Sequence, residues 1–242
     1  MEAIILAAGV GRRLYPLTKD RPKCMLEIGG EPLLSQIIEN IKGAGIGKIL
    51  VVTGHRAEAV GDLLNTFPDG NISILYNSHY TEMNNCYSLW LALQEVADDC
   101  LIYNSDLFCG PTLVRRIVEA SPRDVLLIDE GKALGKEEMK VRLNEDQQIS
   151  QISKEIPPSQ ANGEYIGIAK FSRQGAEKLK GRLDHLIKEG KVDQFYEAGI
   201  DLLAQNYPLY GVRFRGEPWV EIDDFADLEK ARGQIWPQLK EN

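Results

Sequence analysis

Residues 1–23 read MEAIILAAGVGRRLYPLTKDRPK. The run from Ala3 to Ala8 is short and apolar, as a buried strand requires. It leads directly into Gly9-Val10-Gly11-Arg12-Arg13, and Pro22-Lys23 follows one loop later. Glycines at the end of a buried strand let backbone N–H groups approach phosphate oxygens closely. Arginine adds a permanently charged bidentate contact, and lysine a compact one. The segment therefore predicts a polyphosphate site at the end of the first strand. It is not a Walker loop, because no G-K-[ST] follows, and it lacks the third glycine of a dinucleotide fingerprint.

Outward from this segment, apolar runs alternate with helical patterns. Strands are expected at 3–8, 48–53, 72–77, 100–103 and 124–128, and helices at 33–43, 57–65, 88–96 and 111–120. In the helix over 33–43, Leu34, Ile37, Ile38 and Ile41 share one face. Such alternation implies a parallel sheet covered on both faces, with ligands outside the carboxyl ends of its strands. Gly9 to Arg13, Thr53 to His55 and Ser105-Asp106 all fall at such ends, which predicts one shared site.

Beyond residue 128 the pattern becomes richer in strands. An antiparallel pair is expected at 140–143 and 148–152, turning at 144–147, followed by a strand over 165–171. Helices are expected over 176–190 and near 194–205, strands over 209–214 and 219–222, and a last helix over 227–236 stopped by Pro237. No Gly/Ser-rich linker or internal repeat interrupts the chain. The expected architecture is α/β: a Rossmann-like mixed, mostly parallel sheet flanked by helices. It forms a single domain over 1–242, with a nucleotide-binding half (1–128) and a small β-rich acceptor-binding half (129–242).

The composition is that of a globular protein large enough to need no staples. A formal charge of −8 argues against a broad nucleic-acid surface. Cys24, Cys86, Cys100 and Cys109 form no C-x-x-C pair and read as buried, reduced thiols. Glu2 stands where a signal peptide would be basic, and no apolar run reaches the ~18 residues of a membrane span. A cytoplasmic protein without membrane or nucleic-acid partners is the expectation.

Asp106 closes the strand that ends YNSD, and Asp223 or Asp224 closes WVEIDD. Strand-end aspartates cap helices, but two of them beside a phosphate loop suit Mg²⁺, which takes one or two carboxylates together with substrate phosphates.

The motif from Leu6 to Leu34, LAAGVGRR…RPKCML…PLL, resembles the signature of the nucleotidyltransferases that activate sugar phosphates and related phosphates. That pattern is L-A-A-G-x-G-[ST]-R-[LM] followed by P-K. The resemblance implies a GT-A-like nucleotidyltransferase fold and an enzyme. It places Leu6, Ala7, Ala8, Gly9 and Gly11 around the nucleotide, and Arg13, Lys23 and Asp106 in catalysis. It gives Asp106 and Asp223 the metal, Mg²⁺. Arg12 departs from the family's Ser or Thr, which leaves Arg13 as the counterpart of the phosphate-binding arginine.

The segment Asn77 to Leu89, NSHYTEMNNCYSL, resembles the N-x-x-[YF]-x-x-x-N-N-x-x-S-L of the phosphocholine cytidylyltransferase-like branch. Asn84, Asn85 and Ser88 thereby become candidates for nucleotide contact, most naturally with CTP. Paired amides offer donors and acceptors to a cytosine edge, and they equally suit a helix N-terminus. In the acceptor half, Asp193, Phe195 and Tyr196 resemble an aromatic and acidic segment of that branch, and Lys154, Tyr165 and Trp219 fall where it keeps its acceptor site. Aromatic faces with carboxylates suit an amine or quaternary ammonium, with Glu137-Glu138 adding to the cage, although the same rings also suit a core. His55, His79 and His185 lack partners at ligand spacing and read as structural or peripheral.

The resemblance implies transfer of a nucleotidyl group from a nucleoside triphosphate to a small phosphate or phosphonate, of phosphocholine or 2-aminoethylphosphonate type, with loss of pyrophosphate. A sugar-1-phosphate or inositol-1-phosphate acceptor is the alternative. A glycosyltransferase would show D-x-D, where this chain has Asn104-Ser105-Asp106, and a non-catalytic subunit would have lost Lys23 or an aspartate. No hexapeptide-repeat region of the kind that makes some family members trimers is present, so a monomer or homodimer is expected.

Overall fold

The computed structural model describes residues 1–68 and 70–241. Its strands are β1 (Glu2–Ala7), β2 (Glu27–Ile28), β3 (Glu31–Pro32), β4 (Ile49–Thr53), β5 (Ile72–Tyr76), β6 (Cys100–Asn104) and β7 (Leu107–Cys109). They continue with β8 (Val125–Asp129), β9 (Lys140–Leu143), β10 (Ile149–Ser153), β11 (Gly163–Phe171), β12 (Tyr210–Phe214) and β13 (Trp219–Glu221). The helices are α1 (Leu33–Gly43), α2 (Ala57–Leu64), α3 (Asn85–Glu95), α4 (Pro111–Glu119), α5 (Arg173–Lys188), α6 (Glu197–Ala204), α7 (Phe225–Lys230) and α8 (Trp236–Lys240).

The main sheet runs β10-β9-β11-β6-β1-β4-β5, with β8 pairing β11 and β12. Strands β6, β1, β4 and β5 are parallel, and β11 joins β6 antiparallel. Alternation along β1 sends Ala3, Ile5 and Ala7 into one core and Ile4 and Leu6 into the other. Helices α1, α2 and α4 cover the first face, and α3, α5 and α6 the second. The chain moves from β1 to β4 on one side and later returns to β6 on the other. The end of β1 is therefore the topological switch point, where α/β sheets open a crevice.

Local chemistry explains where elements differ from expectation. Helix α3 starts at Asn85 rather than residue 88, because the Asn84 side chain caps it by accepting from Asn85 N at 2.8 Å. Helix α5 starts at Arg173 rather than residue 176, because the Ser172 hydroxyl accepts from Gly175 N at 3.1 Å. Pro237 does not stop the last helix. The chain widens into a π-turn over Ala231–Ile235 and restarts as α8, where Pro237 stands in the first turn and needs no N–H partner. Among the described residues, no helix is long and apolar enough to cross a membrane. All four cysteines are buried and outside disulfides.

Candidate active site

The crevice at the end of β1 opens into a cleft of about 870 Å³. Leu6, Ala7, Ala8, Gly9, Gly11, Arg13 and Lys23 line it from the first segment, and Asn84, Asn85 and Ser88 from the start of α3. Asp106, Lys154, Tyr165, Phe195, Trp219 and Asp223 line it as well. Residues more than two hundred positions apart thus share one site, because β7 and β13 pair and bring the end of β13 beside Asp106.

The loop after β1 is held by its backbone. Gly11 adopts φ +64°, a left-handed conformation that opens the turn Arg12–Leu14. A Cβ on Gly11 would stand 3.1 Å from Lys23 Cβ. Thr18 Oγ1 donates to Gly11 O at 2.7 Å, and His55 N donates to Ala8 O at 3.3 Å. The end of β4 therefore braces this loop and does not line the cleft as expected for Thr53 to His55. Its His55 ring contacts Thr18 O at 3.0 Å, a structural role.

Lys23 Nζ lies between two carboxylates, 2.8 Å from Asp106 Oδ2 and 2.9 Å from Asp223 Oδ1. Burial alone would lower its pKa, but the two neighbouring charges outweigh that and raise it far above the usual lysine value. Arg13 reaches Asp223 Oδ2 at 3.1 Å from an exposed position. Desolvation would raise the Asp223 carboxyl, yet Lys23 and Arg13 hold it below the usual range. Asp224 turns away. It caps α7 by accepting from Ala226 N and Asp227 N, so Asp223 is the aspartate that faces the cluster.

Glu221 joins Asp106 and Asp223, with ligand oxygens of all three within 4.8 Å of one another. Asp106 Oδ1 is buried with no hydrogen-bond partner, an acceptor left open toward the cluster. Desolvation within the cluster, then the charges of Asp106 and Asp223, raise the Glu221 carboxyl above its usual range, although the residue as a whole is exposed. This all-oxygen donor set fits a hard divalent cation. Glu221 was not anticipated as a ligand. Its signal was period-two spacing with Asp223 in WVEID, which puts both on one side of an extended segment.

Glu197 closes the aromatic and acidic segment that starts at Asp193, and the sequence reading gave it no role of its own. It lines the cleft, is buried, and its Oε2 has no hydrogen-bond partner. Burial, with Asp106 adding charge, raises its carboxyl to about 7.

Two expected acceptor residues are placed elsewhere. Tyr196 is fully buried behind the cleft wall, where its hydroxyl meets Tyr165 Oη at 2.8 Å and donates to Asn104 Oδ1 at 3.0 Å. Asp193 does not line the cleft and instead presents its backbone oxygen to Asn84 Nδ2 at 2.9 Å. Asn85 Oδ1 accepts from Tyr196 N at 2.9 Å, and Ser88 Oγ accepts from Asn77 Nδ2 at 2.9 Å. The paired asparagines thus tie the segment before α6 to the start of α3 while lining the cleft. Phe195 is exposed in the cleft beneath Lys154, whose Nζ is 5.6 Å from the ring centroid and 3.6 Å from Glu137 Oε2. Trp219 lies at the far end, with Nε1 donating to Asp129 Oδ2 at 2.8 Å.

A switch-point crevice with a glycine loop, a buried lysine and a carboxylate cluster defines a protein that handles nucleoside triphosphates. The chain belongs to the MobA-like NTP transferase domain family, whose model matches residues 3–181, and it is a nucleotidyltransferase. It is 26% identical over 231 residues to the choline-phosphate cytidylyltransferase of Streptococcus pneumoniae, covering 95% of this chain and 96% of that protein. It is 28% identical over 251 aligned positions to the CTP:phosphoglutamine cytidylyltransferase of Campylobacter jejuni, covering 95% and 98%. The solved structure of the CTP:phosphocholine cytidylyltransferase from Streptococcus pneumoniae matches with a TM-score of 0.81 at 24% identity, covering 96% of this chain and 97% of that one.

Proposed function

We propose that this protein transfers a cytidylyl group from CTP to an oxygen of a small phosphate or phosphonate carrying a nitrogenous tail, releasing pyrophosphate. The observation that carries this reading is the Lys23 ammonium clamped by Asp106 and Asp223 at the mouth of the Gly9 to Arg13 loop. The relatives that use CTP support the choice of base.

The acceptor oxygen is already an anion and attacks the α-phosphorus in line, so no general base is required. The work of the chain is positioning and neutralising charge. The loop from Ala8 to Gly11 presents backbone groups to the triphosphate, and Lys23 meets the charge that builds on the α-phosphate. Arg13, free to swing from its exposed position, takes the leaving phosphates. Lys154 approaches the acceptor phosphate. Asp106 and Asp223, with Glu221, would hold Mg²⁺. When bound, the ion supplies Lewis-acid stabilisation of phosphoryl oxygens. Asn85 keeps an amide NH₂ that can face the base once its carbonyl is committed to Tyr196 N.

The test is pyrophosphate release with Mg²⁺ for CTP, UTP, GTP, ATP and dTTP, each against phosphocholine, 2-aminoethylphosphonate, inositol 1-phosphate and hexose 1-phosphates. Release with CTP and an amine-bearing acceptor is expected. Release only with another nucleotide or only with a sugar phosphate refutes the acceptor and base assignment.

A further inference from the structure

At the far end of the cleft, a cation already occupies the niche expected for an acceptor's tail. Lys132 Nζ lies 5.1 Å from the Trp219 ring centroid, 2.9 Å from Glu164 Oε2 and 3.7 Å from Glu138 Oε1. The walls are fixed. Trp219 is held by Asp129, and Asp129 Oδ1 also accepts from Gly131 N at 2.6 Å. Glu164 belongs to β11 and is 4% exposed. Its Oε2 meets the Lys132 ammonium at 2.9 Å, a charge-assisted contact. The lysine is the movable part: its side chain is 40% exposed and rises from the loop after β8.

Charge also favours a cation here. Asp129, Glu138 and Glu164 line the same end of the cleft as Lys132. Arg215 also lines the cleft beside Gly131, but its guanidinium donates to Glu130 O, and Glu217 is paired with Arg116. The three carboxylates therefore still outnumber the cations beside the aromatic face. Burial, with the charges of Glu138 and Asp129, pushes the Glu164 carboxyl up against the pull of Lys132.

We infer that Lys132 is a tethered occupant of an ammonium subsite between Trp219 and Glu164, displaced when an acceptor bearing an N–H-carrying ammonium enters the cleft. This rests on the nucleotidyl-transfer reading above. A primary ammonium reproduces the Lys132 contacts, including the hydrogen that Lys132 gives the buried Glu164 oxygen. A trimethylammonium fills the aromatic face but donates no hydrogen and leaves that oxygen bare. Lys132 therefore lowers affinity for every cationic acceptor, and Glu164 selects the primary amine among them.

The test uses a W90F/W236F background, which leaves Trp219 as the only one of the three tryptophans. Trp219 fluorescence then reports binding of 2-aminoethylphosphonate, of phosphocholine and of cation-free ethylphosphonate, with no need for turnover. In K132M, 2-aminoethylphosphonate tightens by about tenfold, the factor released if the lysine fills its niche nine-tenths of the time. Phosphocholine gains less, ethylphosphonate does not tighten, and K132R stays near the parent. Added ethylammonium also raises the melting temperature of K132M more than that of the parent, which keeps the test alive if K132M is unstable. Weaker or unchanged binding of 2-aminoethylphosphonate by K132M overturns the inference, as does equal tightening of ethylphosphonate. A protein that binds these probes as expected yet releases no pyrophosphate with any acceptor overturns the reaction and leaves the subsite standing.

Discussion

Replacing Lys23 by methionine keeps most of its length and removes the charge at the centre of the site. The ammonium sits 2.8 Å and 2.9 Å from two carboxylates. In an effective dielectric near 20, each pair attracts by about 6 kcal/mol before desolvation is subtracted. Loss of one partner from a fully buried pair costs about 3–5 kcal/mol. The Asp223 side chain is 39% exposed, so water relieves part of the orphaned charge. That exposure brings the expected stability loss to about 2 kcal/mol. The loss in catalysis is larger. Removing one preorganised donor from developing charge costs about 10²–10³ in kcat, or about 2.7–4 kcal/mol of barrier. The carboxylates of Asp106, Glu221 and Asp223 meanwhile lose a competing cation, so K23M binds Mg²⁺ at least as tightly as the parent. Pyrophosphate release, a thermal melt and a Mg²⁺ titration separate these effects. A K23M protein that turns over within about tenfold of the parent refutes the role of Lys23. Weaker Mg²⁺ binding would mean that the lysine organises the cluster rather than competing within it.

Asp223→Asn lowers turnover by orders of magnitude, whereas Asp224→Ala removes only the cap of α7, costs about 1 kcal/mol of stability and keeps turnover; kinetics and melts of both distinguish them. Gly11→Ala forces a Cβ to 3.1 Å from Lys23 Cβ at φ +64°. It costs about 1–2 kcal/mol and raises KM for the nucleotide, as melts and initial rates will read. The Glu197 carboxyl moves from 4.5 unfolded to about 7 folded, so the native state keeps a proton that the unfolded chain has lost. Its contribution to stability is therefore complete below pH 4.5 and falls as pH rises toward 7, by about 3 kcal/mol at most. The stability difference between parent and E197Q, followed by denaturant titration across that window, shows this slope, and a flat difference removes it.

The β1 loop was legible because it is local: strand, glycines, Arg13 and Lys23 lie within residues 1–23, and each has one physical reason to be there. Asp106 stood out only in company: a lone strand-end aspartate equally caps a helix, and the phosphate loop and second carboxylate tipped the reading toward a metal. The acceptor side was harder, because its geometry depends on packing between distant segments. Phe195 and Tyr196 are adjacent, yet one faces the cleft and the other is sealed against Tyr165 and Asn104. Neighbours at the start of a helix point about 100° apart, and the sequence does not say which points inward. Asn84 and Asn85 matched a motif, but their bonds to Asp193 O and Tyr196 N show that they also fasten the two halves of the cleft. Lys132 carried no signal, since a lysine in a loop reads as solvated until its ring and carboxylates are seen.

The central claim is nucleotidyl transfer at the Lys23, Asp106 and Asp223 cluster. The most direct measurement is the initial rate of pyrophosphate release from CTP with 2-aminoethylphosphonate, in Mg²⁺ and after chelation, for the parent and Asp106→Asn. The account predicts steady release with Mg²⁺, loss on chelation, and a fall of orders of magnitude in the variant. Release that persists without Mg²⁺, or that the variant retains, contradicts it.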